Sequence, residues 1–299
     1  MAKEKDRDSG LMGTRRARIY PAAELATWLL VRAERQHSQG VRLNVRVRAG
    51  LRALDSLRGI WWGLTVLHGG EHHTGSDHVT LAARIALETA RSGEPVLWFS
   101  LTGNEEAPVF RLLTGIARVP VRDVFVDRRL GPREWEALGA ARAELASLPL
   151  LVGDAHGLTL EELRASCLEA RRGSDLALLI VDGIDGFDRV LLPWLERVGQ
   201  EMDAPVLAVV TTPDGAPEEP VGFTEVRPTA LIRTSPVLHV RRVPSAQGTH
   251  PAGLIPLFVD VLRVGEPDLE TVGLRLDPTS RWIEDAYLPE LPPDGEIPK

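Results

Sequence analysis

The chain is poor in several residue types, and each scarcity closes off a class of protein. Cys167 is the single cysteine in 299 residues, so an internal disulfide framework is excluded and a reducing compartment, the cytoplasm, is expected. A lone thiol within an apolar helical stretch is expected to be a small buried hydrophobe. No apolar run approaches the ~18 residues that a membrane span requires. The opening MAKEKDRDSG has no apolar core of a signal peptide. Lysine occurs three times against 32 arginines, a bias we read as coding-sequence composition without mechanistic content.

What remains is ordinary for a globular protein: 43% apolar and 26% charged residues, in a length that suits one or two domains. Net charge is −7 but unevenly spread. Residues 1–52 carry 12 Lys/Arg against 5 Asp/Glu, which leaves −14 on the rest. A basic arm with Arg15, Arg16 and Arg18 could hold single-stranded DNA or an acidic partner, although a solvated tail is the plainer reading. An acidic body is a poor generic match for polyphosphate.

Four segments are predicted: a disordered basic arm over 1–18, a linker helix and connector over 19–50, an α/β domain over 51–287, and a Pro-rich acidic tail over 288–299. In the linker, Leu25, Trp28, Leu29 and Arg32 recur at helical spacing. Such a stripe needs a partner face, and docking on another subunit would supply one. Strands and helices then alternate. Strands are predicted at 64–67, 95–100, 150–152, 176–181 and 205–210, and helices after the glycine loop and at 105–116, 133–146, 159–171 and 190–202. Pro132 suits a first helical position, and Thr159-Leu-Glu-Glu162 is a capping box. The alternation argues a parallel sheet with helices on both faces. Segments 237–241, 257–263 and 272–276 read as strands without intervening helices, extending the sheet as an antiparallel edge or hairpin.

The stretch 65–86, TVLHGGEHHTGSDHVTLAARIA, runs strand, glycine turn, helix. Gly70 and Gly75 have the spacing of G-x-x-x-x-G-K-[ST], whose backbone N–H groups cradle phosphates. Ser76 stands in the Lys position and Asp77 in the Ser/Thr position. A two-residue shift puts His78 and Val79 there instead, and restores neither. A carboxylate there is expected to repel a triphosphate. Half of the eight histidines (His68, His72, His73, His78) crowd into this stretch. Imidazole and carboxylate can ligate Zn²⁺, which makes His72, His73 and His78 weak metal candidates, but an exposed polar loop is the favoured reading and no metal is expected. Asp182 and Asp185 read as a carboxylate pair in a solvated turn at a strand end, and Trp61–Trp62 as cover for the sheet edge.

Taken together, these segments resemble the C-terminal motor domain of DnaB-type replicative DNA helicases. GLRALDSLRG resembles that family's T-G-x-x-x-L-D-x-L-x-G entry. EPVLWFSLTGNEEAPVFRLLTGIARVP is similar, without a gap, to its strand and helix beginning F-F-S-L-E-M. LPLLVGDAHGLTLEELRA and LALLIVDGI resemble its L-P-L-x-I-x-D-x-x-x-L-T-x-x-E-L-R segment and its Walker B strand. The resemblance implies a RecA-like P-loop NTPase fold, α/β with a mainly parallel sheet, a C-terminal antiparallel extension and an N-terminal linker helix. It also implies ATP with Mg²⁺ as the family's cofactor. Carried over, Asp182 falls on the Walker B Asp, Thr102 on the catalytic Glu, Thr211 on the sensor Gln and Val261 on the hairpin Lys, while Arg263 reads either as the Arg contributed to a neighbouring subunit or as an edge-strand surface charge.

Phosphoryl transfer depends on positioning and charge stabilisation, and one lost preorganised group costs roughly 10²–10³ in rate. With a Lys, a Glu and a Gln replaced together, a pseudo-ATPase without a cofactor is expected. It would be a structural or regulatory subunit in DNA replication or repair, forming a homo-oligomer or a mixed ring with an active replicative helicase, away from membranes. An ATP-dependent DNA helicase with an atypical loop is the alternative, and a RecA-fold scaffold unrelated to DNA is a third.

Overall fold

The computed structural model describes residues 47–57, 61, 63–69, 77–120, 123–124, 130–171, 175–185, 190–211, 235–242, 255–262, 270–277 and 280–285. All lie within the unit Val45–Lys299. The expected arm, linker helix and tail fall outside the described residues.

Nine strands form one sheet: β1 (Leu64–Gly69), β2 (Val96–Ser100), β3 (Leu150–Asp154), β4 (Leu178–Asp185), β5 (Val206–Thr211), β6 (Val237–Arg242), β7 (Ile255–Leu262), β8 (Glu270–Leu276) and β9 (Ile283–Asp285). Their order is β3-β2-β4-β5-β1-β6-β7-β8-β9. β1 and β2 are buried at every residue. Strands covered on both faces read as unbroken apolar runs rather than alternating ones, as VLWFS does. Pairing is parallel from β3 through β6 and antiparallel from β6 through β9. The antiparallel extension therefore begins one strand later than the sequence suggests, since β6 runs parallel to β1. The three-residue β9 is too short to leave a periodic signal, and the sequence reading missed it.

Six helices are described: α1 (Arg52–Asp55), α2 (Asp77–Arg91), α3 (Glu106–Ala117), α4 (Pro132–Ser147), α5 (Leu160–Arg171) and α6 (Leu191–Met202). α4 opens on Pro132 as expected. The predicted capping box caps α5: Glu162 Oε2 accepts from the Thr159 amide at 2.8 Å, and the Glu162 amide donates to Thr159 Oγ1 at 3.3 Å. Two apolar layers sandwich the sheet. Leu81, Ile85 and Ala86 of α2 pack with Leu67, Trp98, Ile180 and Val209 on one face. Leu195, Val198 and Met202 of α6 pack with Val66, Phe99, Val181 and Val210 on the other. Cys167 joins the second layer, where burial pushes its thiol up to about 12, so it is inert at neutral pH. Trp61 belongs to the first core layer instead of covering an edge, and Trp62 lies outside the described residues. Among the described residues, no helix is long and apolar enough to cross a membrane.

Two tethers fix α2, the helix that matters for the site. Thr89 Oγ1 accepts from the Arg48 amide at 3.0 Å and donates to the Arg48 carbonyl at 3.1 Å. At the other end of the chain, Trp282 lies buried against Gly115 of α3, with Arg84 of α2 5.6 Å from its ring. A Cβ on Gly115 would come within 2.1 Å of the indole. Gly115→Ala should therefore destabilise by about 1–3 kcal/mol through overpacking. Gly139→Ala, in open space on α4, should instead stabilise by about 0.5–1 kcal/mol by removing backbone freedom. Thermal unfolding of the two variants checks the opposite signs.

Candidate functional site

The C-terminal ends of the parallel strands bring the sequence-selected residues together, as open α/β sheets do. β1 ends at Gly69, β5 at Thr211 and β2 at Ser100, with Thr102 just beyond it. Asp182 does not end β4. The strand continues to Asp185 through a register shift between Val181 and Ile184, and Gly183 takes φ +76° there. A Cβ on Gly183 would meet the Thr102 side chain at 2.5 Å, so the glycine allows β4 to lie close against the loop after β2.

Asp182 is buried, not solvated; Asp185 is exposed. Trp98 of β2 donates its indole N–H to Asp182 Oδ2 at 2.8 Å. Asp182 Oδ1 has no hydrogen-bond partner among the described residues. Desolvation pushes the carboxyl above its ordinary range, opposed by the nearby Ser100 hydroxyl, the Trp98 indole and the Arg111 guanidinium. Ser100 is near enough to favour the anion without reaching Oδ1 in good hydrogen-bond geometry. Its hydroxyl instead pairs with Thr102 Oγ1 at 2.8 Å. Thr102 itself is exposed and has no carboxylate with which to orient a water.

Asp77 opens α2 and is wholly buried. Arg281, at φ +57° in the turn before β9, donates to Asp77 Oδ1 at 2.7 Å. Arg111 of α3 donates to Thr80 Oγ1 at 2.8 Å and lies within electrostatic reach of both Asp77 and Asp182. This corrects one expectation. Asp77 is not a bare anion facing an incoming phosphate, because its charge is already met by a guanidinium.

The histidines divide. His68 and His78 are buried, which overturns the expectation of an exposed polar loop for these two. His72 and His73 lie outside the described residues, as do Gly70, Gly75, Ser76 and Arg263. His78 Nε2 sits 3.5 Å from Thr211 Oγ1, at the long limit of a hydrogen bond, and its ring presses on the Gly69 backbone. Burial and the adjacent Arg111 lower its pKa to about 4. His68 stacks on His239 of β6, with centroids 5.1 Å apart and the two Nδ1 atoms at 2.9 Å. One Nδ1 must donate and the other accept, so at least one ring is neutral. Burial, reinforced by His239 and His78, lowers His68 to about 3. Among the described residues, no three His, Cys, Asp or Glu side chains are placed to hold a metal ion.

The DnaB-like helicase C-terminal domain family matches this chain over residues 47–189, which takes in β1 through β4 and Asp182. Over these residues the chain is similar to that family. Similar curated proteins include the replicative DNA helicase DnaB of Mycobacterium intracellulare, 32% identical over 84 residues, or 28% of this chain and 14% of that protein. That of Pasteurella multocida is 29% identical over 133 residues, or 40% and 28%. The matches thus span only a minor part of those helicases. Among solved structures, the ATPase domain of G40P superposes with a TM-score of 0.65 at 13% identity, covering 87% of this chain and 98% of that one. A DnaB-like replicative helicase studied with primase gives 0.68 at 13% identity, covering 87% and 66%. At that identity the likeness establishes the fold: α/β, with a mostly parallel central sheet and added antiparallel strands.

Trp98, Arg111, Arg281 and His239 are residues of this site that escaped the sequence reading. Trp98 was visible within WFSL, but its bond to Asp182 crosses strands. Arg281 and His239 lie 204 and 171 residues from their partners, and no local pattern marks such pairs. The histidines generate a pH prediction. Folded His78 and His68 stay neutral down to about pH 4 and 3, whereas unfolded imidazoles take up protons from about pH 6.5. Their contribution is therefore complete above about pH 6.5 and is lost as acid approaches the folded values. Asp182, with its raised carboxyl, tilts stability the opposite way above the ordinary carboxylate range. Denaturant titrations between pH 7 and 4 should show stability falling by up to a few kcal/mol, and the His68→Gln/His78→Gln variant should flatten that slope.

Proposed function

We propose that this chain is a non-hydrolysing relative of the replicative helicase motor, a structural or regulatory subunit in DNA replication or repair that assembles in a ring, alone or with an active helicase. One observation carries the reading: the Walker B-like Asp182 is desolvated and held through Oδ2 by the Trp98 indole. A metal-binding Asp must be ionised, with its oxygens turned to the cation or its waters. Thr102 in the Glu position and Asp77 beside the Lys position complete a donor set that does not fit Mg²⁺ and a triphosphate. We therefore derive no hydrolytic step.

A place in replication is supported by the DnaB-like domain and its helicase relatives. Arg111 is the feature that favours the rival reading, a helicase whose cation comes from α3, because it lies within reach of Asp182 and Asp77. Its hydrogen bond to Thr80 and the two carboxylates it faces leave that cation engaged within the chain.

The deciding experiment is release of inorganic phosphate from ATP with Mg²⁺ and single-stranded DNA, run beside Asp182→Asn. The expected result is turnover at background level, several powers of ten below an active motor, and the same for both proteins. Turnover that Asp182→Asn abolishes would instead establish the helicase reading. Salt-sensitive binding of single-stranded DNA is expected as well, and its absence would favour a scaffold without a nucleic-acid role.

A further inference from the structure

An open sheet has two edges, and each presents a row of unpaired N–H and C=O groups to any strand that fits. Here the edges are β9 and β3. β9 is blunted: it is three residues long, two of them acids, and Glu284 is held by Arg118 at 2.7 Å and Arg275 at 3.4 Å. β3 has no such protection. Its sequence is LLVGD, with one charge, at its end. β1 and β2 are buried throughout, whereas no residue of β3 is buried and Leu151 is 57% exposed.

The ladder from β3 to β2 runs from the Pro149 carbonyl, which accepts from the Val96 amide at 2.9 Å, to the Ala155 amide, which donates to the Ser100 carbonyl at 2.8 Å. Alternate residues of an evenly spaced parallel ladder face one neighbour, so Leu150, Val152 and Asp154 turn their backbone groups outward. The Leu150 amide is already bonded to the Leu148 carbonyl at 2.8 Å. The outward amides of Val152 and Asp154 have no backbone partner among the described residues.

We propose that β3 is a self-pairing edge, joining two copies of this chain antiparallel about a twofold axis at Val152. In that register each Val152 amide donates to the Val152 carbonyl of the other copy, and each Asp154 amide to the Leu150 carbonyl of the other copy. Both outward donors of each strand are thereby satisfied. Exposed Leu151 falls opposite Gly153, which has no side chain to oppose it. Phe99 keeps that position bare, since a Cβ on Gly153 would come within 2.8 Å of its ring. Each Asp154 faces a leucine, so no like charges meet across the pair. An axis at Leu151 would set two leucines against each other and leave Asp154 beyond the pairing. An axis at Gly153 would set two glycines together and draw the two Asp154 carboxylates closer. The contact goes beyond the proposed ring, because an isologous pairing closes at two, whether of chains or of rings. A five-residue strand makes a small interface, so the association is weak and concentration-dependent.

Sedimentation of the unmodified chain, over a roughly hundredfold range of concentration up to the millimolar, should show a doubling of the mass found at the dilute end. Amide hydrogen exchange at Val152 and Asp154 should slow over the same range. Val152→Pro removes the central donor, which an edge strand tolerates, and Leu151→Glu places a charge on a side chain that is already exposed. Each should weaken the doubling at least tenfold, and Leu151→Glu keeps the test open if Val152→Pro fails to fold. Trp135→Glu, which alters a 61% exposed side chain on α4, should leave the doubling unchanged. A mass that stays constant across the range overturns the pairing, as does a doubling that survives Leu151→Glu or leaves both amides exchanging at their dilute rate. Equal loss in Trp135→Glu marks general apolar association and overturns it too.

Discussion

Removing an ion from water is the constraint that shapes this molecule. Its sheet is closed on both sides by aliphatic layers, and any charge brought to the strand ends must find a counter-charge or become neutral. Each buried group answers in its own way. Asp77 takes Arg281, His68 takes His239, and His78 stays uncharged. Asp182 has the Trp98 indole on Oδ2 and the Ser100 hydroxyl nearby, its Oδ1 lacks a partner among the described residues, and desolvation moves its carboxyl upward. Removing one member of a buried ion pair costs roughly 3–5 kcal/mol. A network of this kind therefore helps to hold the fold together at the strand ends.

The architecture and the chemistry of the strand ends rest on different residues. The framework depends on apolar continuity in β1, β2, β4 and β5, on the Thr159–Glu162 cap and on Pro132, none of which involves a phosphate. The groups that hydrolysis requires are few and sit at strand ends, where substitution leaves the layers intact. Thr102 is exposed, so an exchange there costs little packing. Trp98 is different, because it is fully buried and contributes to the core while also holding Asp182.

The same division marks what could be read in the sequence. Parallel strands, helix starts and the α5 cap follow from periodicities and residues within a few positions of one another, and these appear where the pattern puts them. The expected replacement of the Lys, Glu and Gln equivalents is likewise an expectation about single positions. What could not be read was pairing at long range. Arg281 delivers its charge across 204 residues, and the two stacked histidines meet only because β6 joins β1 in register. For that reason Asp77 looks like an open repulsive charge in the sequence and a neutralised one in the structure. Asp182 looks like a solvated turn residue until Trp98 is seen to cover it.

These pairings also bear on whether the site could be re-armed by one change. Returning a carboxylate at Thr102 would place it beside Gly183, next to an Asp182 that is already desolvated. Like charges that close favour protonation of one of them, so the added group would push Asp182 further from the ionised form a metal needs. That change worsens the electrostatics unless its counterpart changes too. The buried groups at these strand ends are thus mutually dependent, and a change in the charge of one calls for a change in its neighbour.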